Sequence, residues 1–296
     1  MNKLTSSDDR SFLRGETNGG VYKGAVMPIG EDSWKSTNLG GIYALEVDGG
    51  NPGGNLGLLI GDDGIVLIDN GLEKAGQMTL ATTQKMADDT VNFVINTHLH
   101  ADHLACNPIY SATGAKIIAH DNTRSALLAD SQFDKTGLPN LTFNDTATFY
   151  LNGQTLKLLH IPKAHTNSDI IIHFSDANII HAGDMFFNKV FPFIDLNNGG
   201  NIDGFIAGQQ QVIELANEKT VIIPGHGPLG SKADMQEALD MLINIKGCIK
   251  PLVEQGLSME EVLRVNPLAD FENWAWFHIS IERMTKILYC LLTEGQ

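Results

Sequence analysis

Three histidines and one aspartate fall within six residues of a single short segment, Thr97-His98-Leu99-His100-Ala101-Asp102-His103. Side chains two positions apart in an extended chain point the same way, so His98 and His100 can both reach one metal ion. Asp102 and His103 follow where the chain must turn into the next helix, and they can face a second position. Packed without a metal, this cluster would leave ring nitrogens without hydrogen-bond partners. The spacing therefore predicts a metal-binding loop with two half-sites.

The elements around this loop indicate an α/β chain. Residues 91–96 form an apolar strand that ends at the loop, and residues 73–88 before it are predicted to be helical. Two hairpin turns are indicated by Asp63-Gly64 and Asn152-Gly153, because these pairs tolerate the positive φ angles of tight turns. Strands are predicted at 42–47, 58–60, 65–68, 116–119, 147–151, 155–159, 169–174, 178–182 and 221–223, and further helices at 121–130 and 203–217.

The two ends of the chain differ from this pattern. Residues 1–40 are polar and aperiodic, which predicts an N-terminal arm, and residues 41–296 are predicted to form one domain. From about residue 231 the spacing of apolar residues predicts two long helices, with stripes over 235–252 and 274–291. The cluster Trp274-Ala275-Trp276-Phe277 packs the core, forms a homodimer contact or builds a wall over the active site.

Composition narrows the class of partner. The formal charge of -15, from 35 acidic and 20 basic residues, repels phosphate backbones and anionic membranes. We therefore expect a small-molecule substrate and neither nucleic acid nor membrane. Three scattered cysteines are too few for a disulfide scaffold or a cysteine zinc site, and we expect buried or free thiols. Residues 1–20 show no signal peptide, which predicts a cytoplasmic protein, or a periplasmic or secreted one if a leader has been removed.

The order of the histidine motifs resembles the metallo-β-lactamase superfamily. The pattern His98-x-His100-x-Asp102-His103 is similar to the signature of that family. Three later segments match the remaining family motifs, and the similarity spans about residues 41–228. These segments are Ala164-His165-Thr166, Gly183-Asp184 and Pro224-Gly225-His226-Gly227.

The resemblance implies a two-metal centre. One ion would be held by His98, His100 and His165, the other by Asp102, His103 and His226, and Asp184 would bridge them. The implied cofactors are two Zn²⁺ ions, with iron or manganese as alternatives. A metal-bridging hydroxide would then attack a carbonyl group, and Asp102 would also orient this nucleophile.

Two positions separate branches of the family. The diiron oxygen-reducing branch has Glu where this chain has His100, and the imidazole favours hydrolysis. Broad-acting β-lactamases have Cys in place of Asp184, followed three residues later by a substrate-binding Lys, whereas that residue here is Phe187. Lys189 either replaces that lysine or is an exposed loop residue. The bridging Asp instead resembles glyoxalase II-like thioesterases, lactonases and other β-lactamase-like proteins.

The fold implied by the resemblance is a four-layer αββα sandwich of two mixed sheets flanked by helices. The favoured function is zinc-dependent hydrolysis of a β-lactam or lactone ring; a glyoxalase II-like thioesterase, an iron-dependent persulfide dioxygenase and a non-catalytic metal-binding protein are the alternatives. Phe187, Lys189 and Phe191 are the predicted substrate contacts, although the aromatic stretch could equally pack its own loop. The glycine-rich loop at residues 49–57 lies between two strands, and we expect a mobile flap over the metals there.

Overall fold

Seven strands, numbered β1 to β7, form the first sheet in chain order. The computed structural model describes residues 31–294. Strands β1 to β4 pair antiparallel and β4 to β7 pair parallel, so the sheet is mixed. The strands are Ser33–Asn38, Ile42–Gly49, Leu56–Leu59, Val66–Ile68, Phe93–Ile95, Lys116–His120 and Leu141–Phe143.

Five further strands form the second sheet in the spatial order β12-β11-β10-β9-β8. Only the β11 and β12 pair is parallel. The predicted hairpin between β8 and β9 is confirmed, with positive φ at Asn152 and Gly153. Every residue of β11 is buried, as expected for a strand covered on both faces. The strands β8 to β12 are Thr146–Leu151, Gln154–His160, Ile170–Phe174, Ile179–Phe187 and Val221–His226.

Three buried apolar clusters define four layers. Side chains such as Val66 and Leu158 meet between the two sheets. Helices α1 and α3 cover the outer face of the first sheet, and α5, α6 and α8 cover that of the second. The αββα sandwich of two mixed sheets is thus confirmed. Within residues 31–294 the helices α1 to α8 are Gly76–Ala87, Ala101–Leu104, Asn107–Ala112, Asp121–Ala129, Ile202–Leu215, Lys232–Glu254, Met259–Val265 and Ile281–Glu294.

The folded part begins before the predicted boundary at residue 41. Residues 1–30 of the predicted arm lie outside the described residues, but Ser33–Asn38 pairs along β2 as an edge strand. An edge strand that is half exposed needs few apolar residues. The sequence of β1 is accordingly polar, and it lacks the apolar pattern from which a strand is predicted. Trp34 anchors it by donating a hydrogen bond from Nε1 to Thr79 Oγ1, at 3.1 Å.

The last helix is shorter than the stripe over 274–291 predicts, since α8 begins only at Ile281. Residues 275–280 form a loop instead, and Trp274 and Trp276 hydrogen-bond to the segment before α5. Phe191 N donates to Trp274 O at 2.7 Å, and Trp276 Nε1 donates to Phe191 O at 2.9 Å. The predicted helix from residue 231 is confirmed as α6. No helix in residues 31–294 has both the length and the apolarity needed to cross a membrane.

Candidate metal centre

Strand ends bring the predicted ligands to one edge of the sandwich. The loop after β5 carries His98 and His100, the short helix α2 carries Asp102 and His103, and His165 lies between β9 and β10. Asp184 lies in β11, and His226 is the last residue of the neighbouring parallel strand β12. In the described residues these side chains converge in two groups, each with ligand atoms within 4.8 Å of one another: His98, His100, His165 and Asp184, and Asp102, His103 and His226.

The first group is centred on His165. Its Nε2 lies 2.8 Å from His100 Nδ1 and 3.3 Å from Asp184 Oδ2. His98 Nε2 lies 3.8 Å from the same carboxylate oxygen. Three imidazole nitrogens and one carboxylate oxygen thus point at a common volume.

The second group is more open to solvent. His226 Nε2 lies 3.2 Å from Asp102 Oδ2, and His103 Nε2 lies 3.5 Å from that oxygen. The second oxygen of Asp184, Oδ1, is 3.1 Å from His103 Nε2 and 3.5 Å from His226 Nε2. Each oxygen of Asp184 therefore faces a different group.

Ligand spacing shows that these residues fit metal ions. Two ligands bound tetrahedrally at about 2.0–2.1 Å from zinc lie roughly 3.3 Å apart. The separations given above run from 2.8 to 3.8 Å and bracket that value. His98 Nε2, His103 Nε2 and Asp184 Oδ1 are also buried without a hydrogen-bond partner. A buried polar atom without a partner is costly, and one cation in each group would satisfy all three.

The outer ring nitrogens of four histidines are committed to other groups. Such contacts fix the ring orientation and direct the lone pair of the inner nitrogen into the site. Inward lone pairs on His100 and His165 at 2.8 Å repel each other unless a proton or a metal ion lies between them. The outer contacts are His98 Nδ1 to Thr97 Oγ1 at 3.0 Å, His100 Nε2 to Asp195 Oδ2 at 2.9 Å, His103 Nδ1 to Asp69 Oδ2 at 2.7 Å and His165 Nδ1 to Phe193 O at 2.7 Å.

The charges of the two groups differ in the absence of metal. Burial and the neighbouring His103 hold the pKa of His98 well below its usual value, and burial lowers the pKa of His165 to about 4. Burial also opposes the charge of His226, but the carboxylates of Asp184 and Asp102 outweigh it and raise its pKa to about 9. His98 and His165 in the first group are thus neutral, whereas for His100 burial is outweighed by Asp195, which raises the pKa of this ring. The second group carries protons that a metal would displace.

Asp184 remains ionised although it is buried. Burial raises the pKa of a carboxyl group, but the surrounding imidazoles, His103 first among them, outweigh it and hold this pKa well below its usual range. Gly225 permits the close approach of this carboxylate, because a Cβ atom there would lie only 1.9 Å from Asp184 Oδ1. An anionic carboxylate between two sets of histidines is suited to bridging two cations.

Comparison with known proteins places this chain in a family. Residues 49–241, more than half of the chain, match the family model described as the metallo-beta-lactamase superfamily. The chain belongs to the metallo-β-lactamase superfamily. Two curated relatives are named metallo-beta-lactamase type 2. The protein from Bacillus sp. (strain 170) is 25% identical and that from Bacillus cereus 23%, and each match covers 74% of this chain and 82% of the relative.

A solved structure agrees with the fold. The metallo-beta-lactamase from Pontibacter korlensis superposes with a TM-score of 0.61 and 18% identity, over 72% of this chain and all of that one. At this identity the likeness shows the metallo-β-lactamase fold alone.

The three residues predicted to contact substrate lie in different environments. Phe187 is buried against the metal centre, with its ring stacked on His226 at a centroid distance of 5.1 Å. Lys189 is drawn away to α6, where it pairs with Asp234 at 3.3 Å and with Glu237. Phe191 is fully buried in the apolar cluster under the second sheet and packs its own loop. The structure therefore brings Phe187 to the site, but not Lys189 or Phe191.

The loop at residues 275–280 supplies the aromatic wall that was one interpretation of its sequence. Trp276 lies 5.7 Å from His226 and 6.3 Å from Phe187, measured between ring centroids. Phe277 beside it is 41% exposed. One wall of the candidate metal centre is thus apolar and aromatic.

The glycine-rich loop at residues 49–57 is not a flap. Its residues 52–56 are buried, and Gly54 N donates to Asp102 O at 3.0 Å. Asn55 Nδ2 donates to Pro224 O and Gly227 O, at 3.0 and 2.8 Å. Gly54 leaves room for the His103 ring, because a Cβ atom there would lie 2.2 Å from its Cε1 atom. The prediction of a mobile flap is therefore wrong for these residues.

Two positioning carboxylates escaped the sequence analysis. Asp69 is fully buried and accepts hydrogen bonds from Thr97 N and Oγ1, at 2.7 Å each, as well as from His103. A polar Asp69-Asn70-Gly71 step after the apolar strand β4 is the indication that could have revealed it. Asp195, which holds His100, lies in a loop distant in sequence and has no comparable indication.

Proposed function

We propose that this protein is a hydrolase with two zinc ions that opens a cyclic amide or ester, a β-lactam or a lactone. The observation that carries the proposal is the position of Asp184, whose two carboxylate oxygens each face a separate set of ligands. One set would hold the first ion through His98, His100 and His165. The other would hold the second ion through Asp102, His103 and His226.

Zinc ions in such a site lower the pKa of bound water toward about 7 and polarise a carbonyl group. No separate side-chain base is then needed to generate the nucleophile at neutral pH. Asp102 and Asp184 together carry two negative charges, which only partly balance the four positive charges of two divalent ions. The net positive charge that remains favours an anionic transition state.

Asp102 has the clearest role among the side chains. Its side chain is 30% exposed, against 4% for Asp184, so it reaches the mouth of the site. Its carboxylate would orient the attacking hydroxide, accept the proton that the hydroxide gives up once the new C–O bond has formed, and pass it to the departing nitrogen or oxygen. In the absence of metal its pKa lies well below the usual range, since the neighbouring His103 and His226 outweigh burial.

The aromatic wall favours a cyclic substrate. Phe187 and Trp276 border the second ligand group and offer flat apolar surfaces, which bind a compact ring and reduce access of bulk water. The two curated relatives are named metallo-beta-lactamase type 2, and these names favour a β-lactam as the cyclic substrate.

A panel of substrates with zinc-loaded protein tests the proposal. We expect about two zinc ions per chain and hydrolysis of a β-lactam or a lactone in preference to a thioester or a phosphodiester. Metal content is measured by elemental analysis and turnover by absorbance.

Three outcomes would contradict this function. A single iron with oxygen uptake on a persulfide substrate would indicate a dioxygenase. Preferred turnover of a glutathione thioester would indicate a glyoxalase II-like enzyme. Two bound metals without hydrolysis of any member of the panel would indicate a non-catalytic protein.

A further inference from the structure

A groove opens from the second ligand group toward the N-terminal edge of the first sheet. It has a volume of about 380 Å³ and includes the ring of His226, which is 19% exposed. Strands β1 and β2 form its far side. Its lining residues are Lys35, Glu46, Val47, Asn55, His226, Gly227 and Pro228.

Lys35 is the cation of this groove, as the lining contains no other lysine or arginine. It faces Glu46 across the antiparallel pair of β1 and β2, with Nζ 3.4 Å from Oε2. The side chain of Lys35 is 62% exposed, whereas that of Glu46 is only 10% exposed. An ammonium group has three donors, so one contact with Glu46 leaves donors for a ligand.

Glu46 is held firmly by other groups. Its Oε1 accepts a hydrogen bond from Leu229 N at 3.1 Å, and its Oε2 accepts one from Thr37 Oγ1 at 3.3 Å. These contacts tie the strand pair to the turn after His226. Glu46 thus acts as a fixed anchor that keeps Lys35 over the groove.

The alternative cation is engaged elsewhere. Lys189 comes soon after β11 in sequence, but two carboxylates of α6, those of Asp234 and Glu237, bind its ammonium group. Lys35 lies before residue 49, outside the segment that matches the family model. A contact made by Lys35 would therefore be a property of this chain rather than of the matched segment.

We infer that Lys35 binds a carboxylate on the substrate and that this groove receives the part of the substrate that carries it. The inference rests on the proposed hydrolase function. Glu46, which lines the groove beside Lys35, would repel a dianion more strongly than a monoanion, so a singly charged carboxylate fits better than a phosphate. Val47, which is 42% exposed, offers an apolar contact beside the charge.

The test compares a chromogenic cephalosporin that carries its ring carboxylate with the methyl ester of the same compound. Lys35→Ala should raise KM for the free acid roughly tenfold with little change in kcat. The contact between Lys35 and the carboxylate would be equally strong in the ground state and the transition state, so its loss weakens binding without slowing the chemical step. KM for the ester should change less than twofold. Lys35→Arg should restore the preference for the acid.

Binding without turnover provides a second readout. With metal-free protein, calorimetry should show tighter binding of the acid than of the ester, and Lys35→Ala should abolish that difference. Lys116→Ala is the matched control, since Lys116 is an exposed lysine at the start of β6 in the same sheet, away from the carboxyl ends of the strands. It should behave as wild type.

The outcomes separate this inference from the proposed function. A preference for the acid that survives Lys35→Ala, or one that is lost only in Lys189→Ala, overturns the inference. Failure of both compounds to bind the wild-type protein overturns it as well. Binding that depends on Lys35 but is never followed by hydrolysis in zinc-loaded protein leaves the inference standing and contradicts the hydrolase function.

Discussion

Histidines are packed closely together in two regions of this molecule, with different geometry. In the candidate metal centre the rings of His98, His100 and His165 meet edge to face, with interplanar angles of 82–86° and centroids 4.6–4.8 Å apart. At the end of β6, His120 and His160 lie parallel instead, with an angle of 17° and a centroid distance of 3.7 Å.

The difference decides what each region can bind. The lone pair of an imidazole nitrogen lies in the plane of the ring, so perpendicular rings can direct several lone pairs at one point. Parallel rings direct theirs along separate lines. Each ligand histidine of the first group also has a partner for its outer nitrogen, whereas the Nδ1 of His120 accepts a bond from Asn122 N and caps α4. The first region is built for a cation and the second for packing.

The largest expected effect is that of removing the carboxylate shared by the two groups of ligands. Asp184→Ala should lower activity by roughly a thousandfold or more, because both ions lose a ligand at once. Metal content, measured by elemental analysis after dialysis, should fall below two per chain. Asp203→Asn, which alters an exposed carboxylate on α5, is the control. Full metal content and activity in Asp184→Ala would rule out a bridging role.

A smaller effect is expected for the carboxylate that orients His100. Asp195→Ala should weaken metal binding by about 10- to 100-fold, as other losses of such an orienting partner do. Chelator competition measures this affinity, and Asp195→Asn should recover part of it. Asp195 also caps the 3-10 helix Leu196–Asn198.

The matched control for that second role is Asp134→Ala. Asp134 caps another 3-10 helix, Lys135–Gly137, away from the ligands. Its loss should leave metal affinity unchanged. Equal weakening in both variants would reduce Asp195 to a structural cap.

The smallest expected effect concerns the stacked pair of His120 and His160 and the sensitivity of folding stability to acid. Burial lowers the pKa values of His120 and His160 below 6.5, against the opposing influence of Asp121 and Asp145. As pH falls below about 6.5, the unfolded chain therefore binds more protons than the folded one. The free energy of unfolding decreases as a result. His120→Asn replaces the capping ring nitrogen with an oxygen acceptor that does not titrate, so this variant should lose less stability on acidification.

Urea unfolding of metal-free protein at pH 7.5 and 5.5 measures the effect. The drop in midpoint between the two pH values should be smaller in His120→Asn than in wild type. The same drop in both proteins would show that the pair does not contribute to acid sensitivity.

Much of the fold and of the site could be predicted because the relevant patterns are local. The histidine loop, the hairpin turn at Asn152-Gly153 and the alternating strands and helices depend on spacing within a few residues. Strand β1 could not be predicted, because an edge strand is stabilised by its partner rather than by its own apolar residues. The start of α8 was misplaced for a similar reason, since Phe191, far away in sequence, binds residues 274–276.

By itself, the sequence determined which residue types could bind a metal and that strands would carry them to a common edge. Only the tertiary structure decided that each oxygen of Asp184 faces a different set of ligands, that Asp69 and Asp195 orient the rings, and that Lys35 rather than Lys189 lies in the groove. The reason is physical. Ligand geometry and ion pairing depend on distances of a few ångströms between side chains far apart in the sequence, such as the 3.2 Å between Asp102 Oδ2 and His226 Nε2, and no local pattern in a chain encodes such distances.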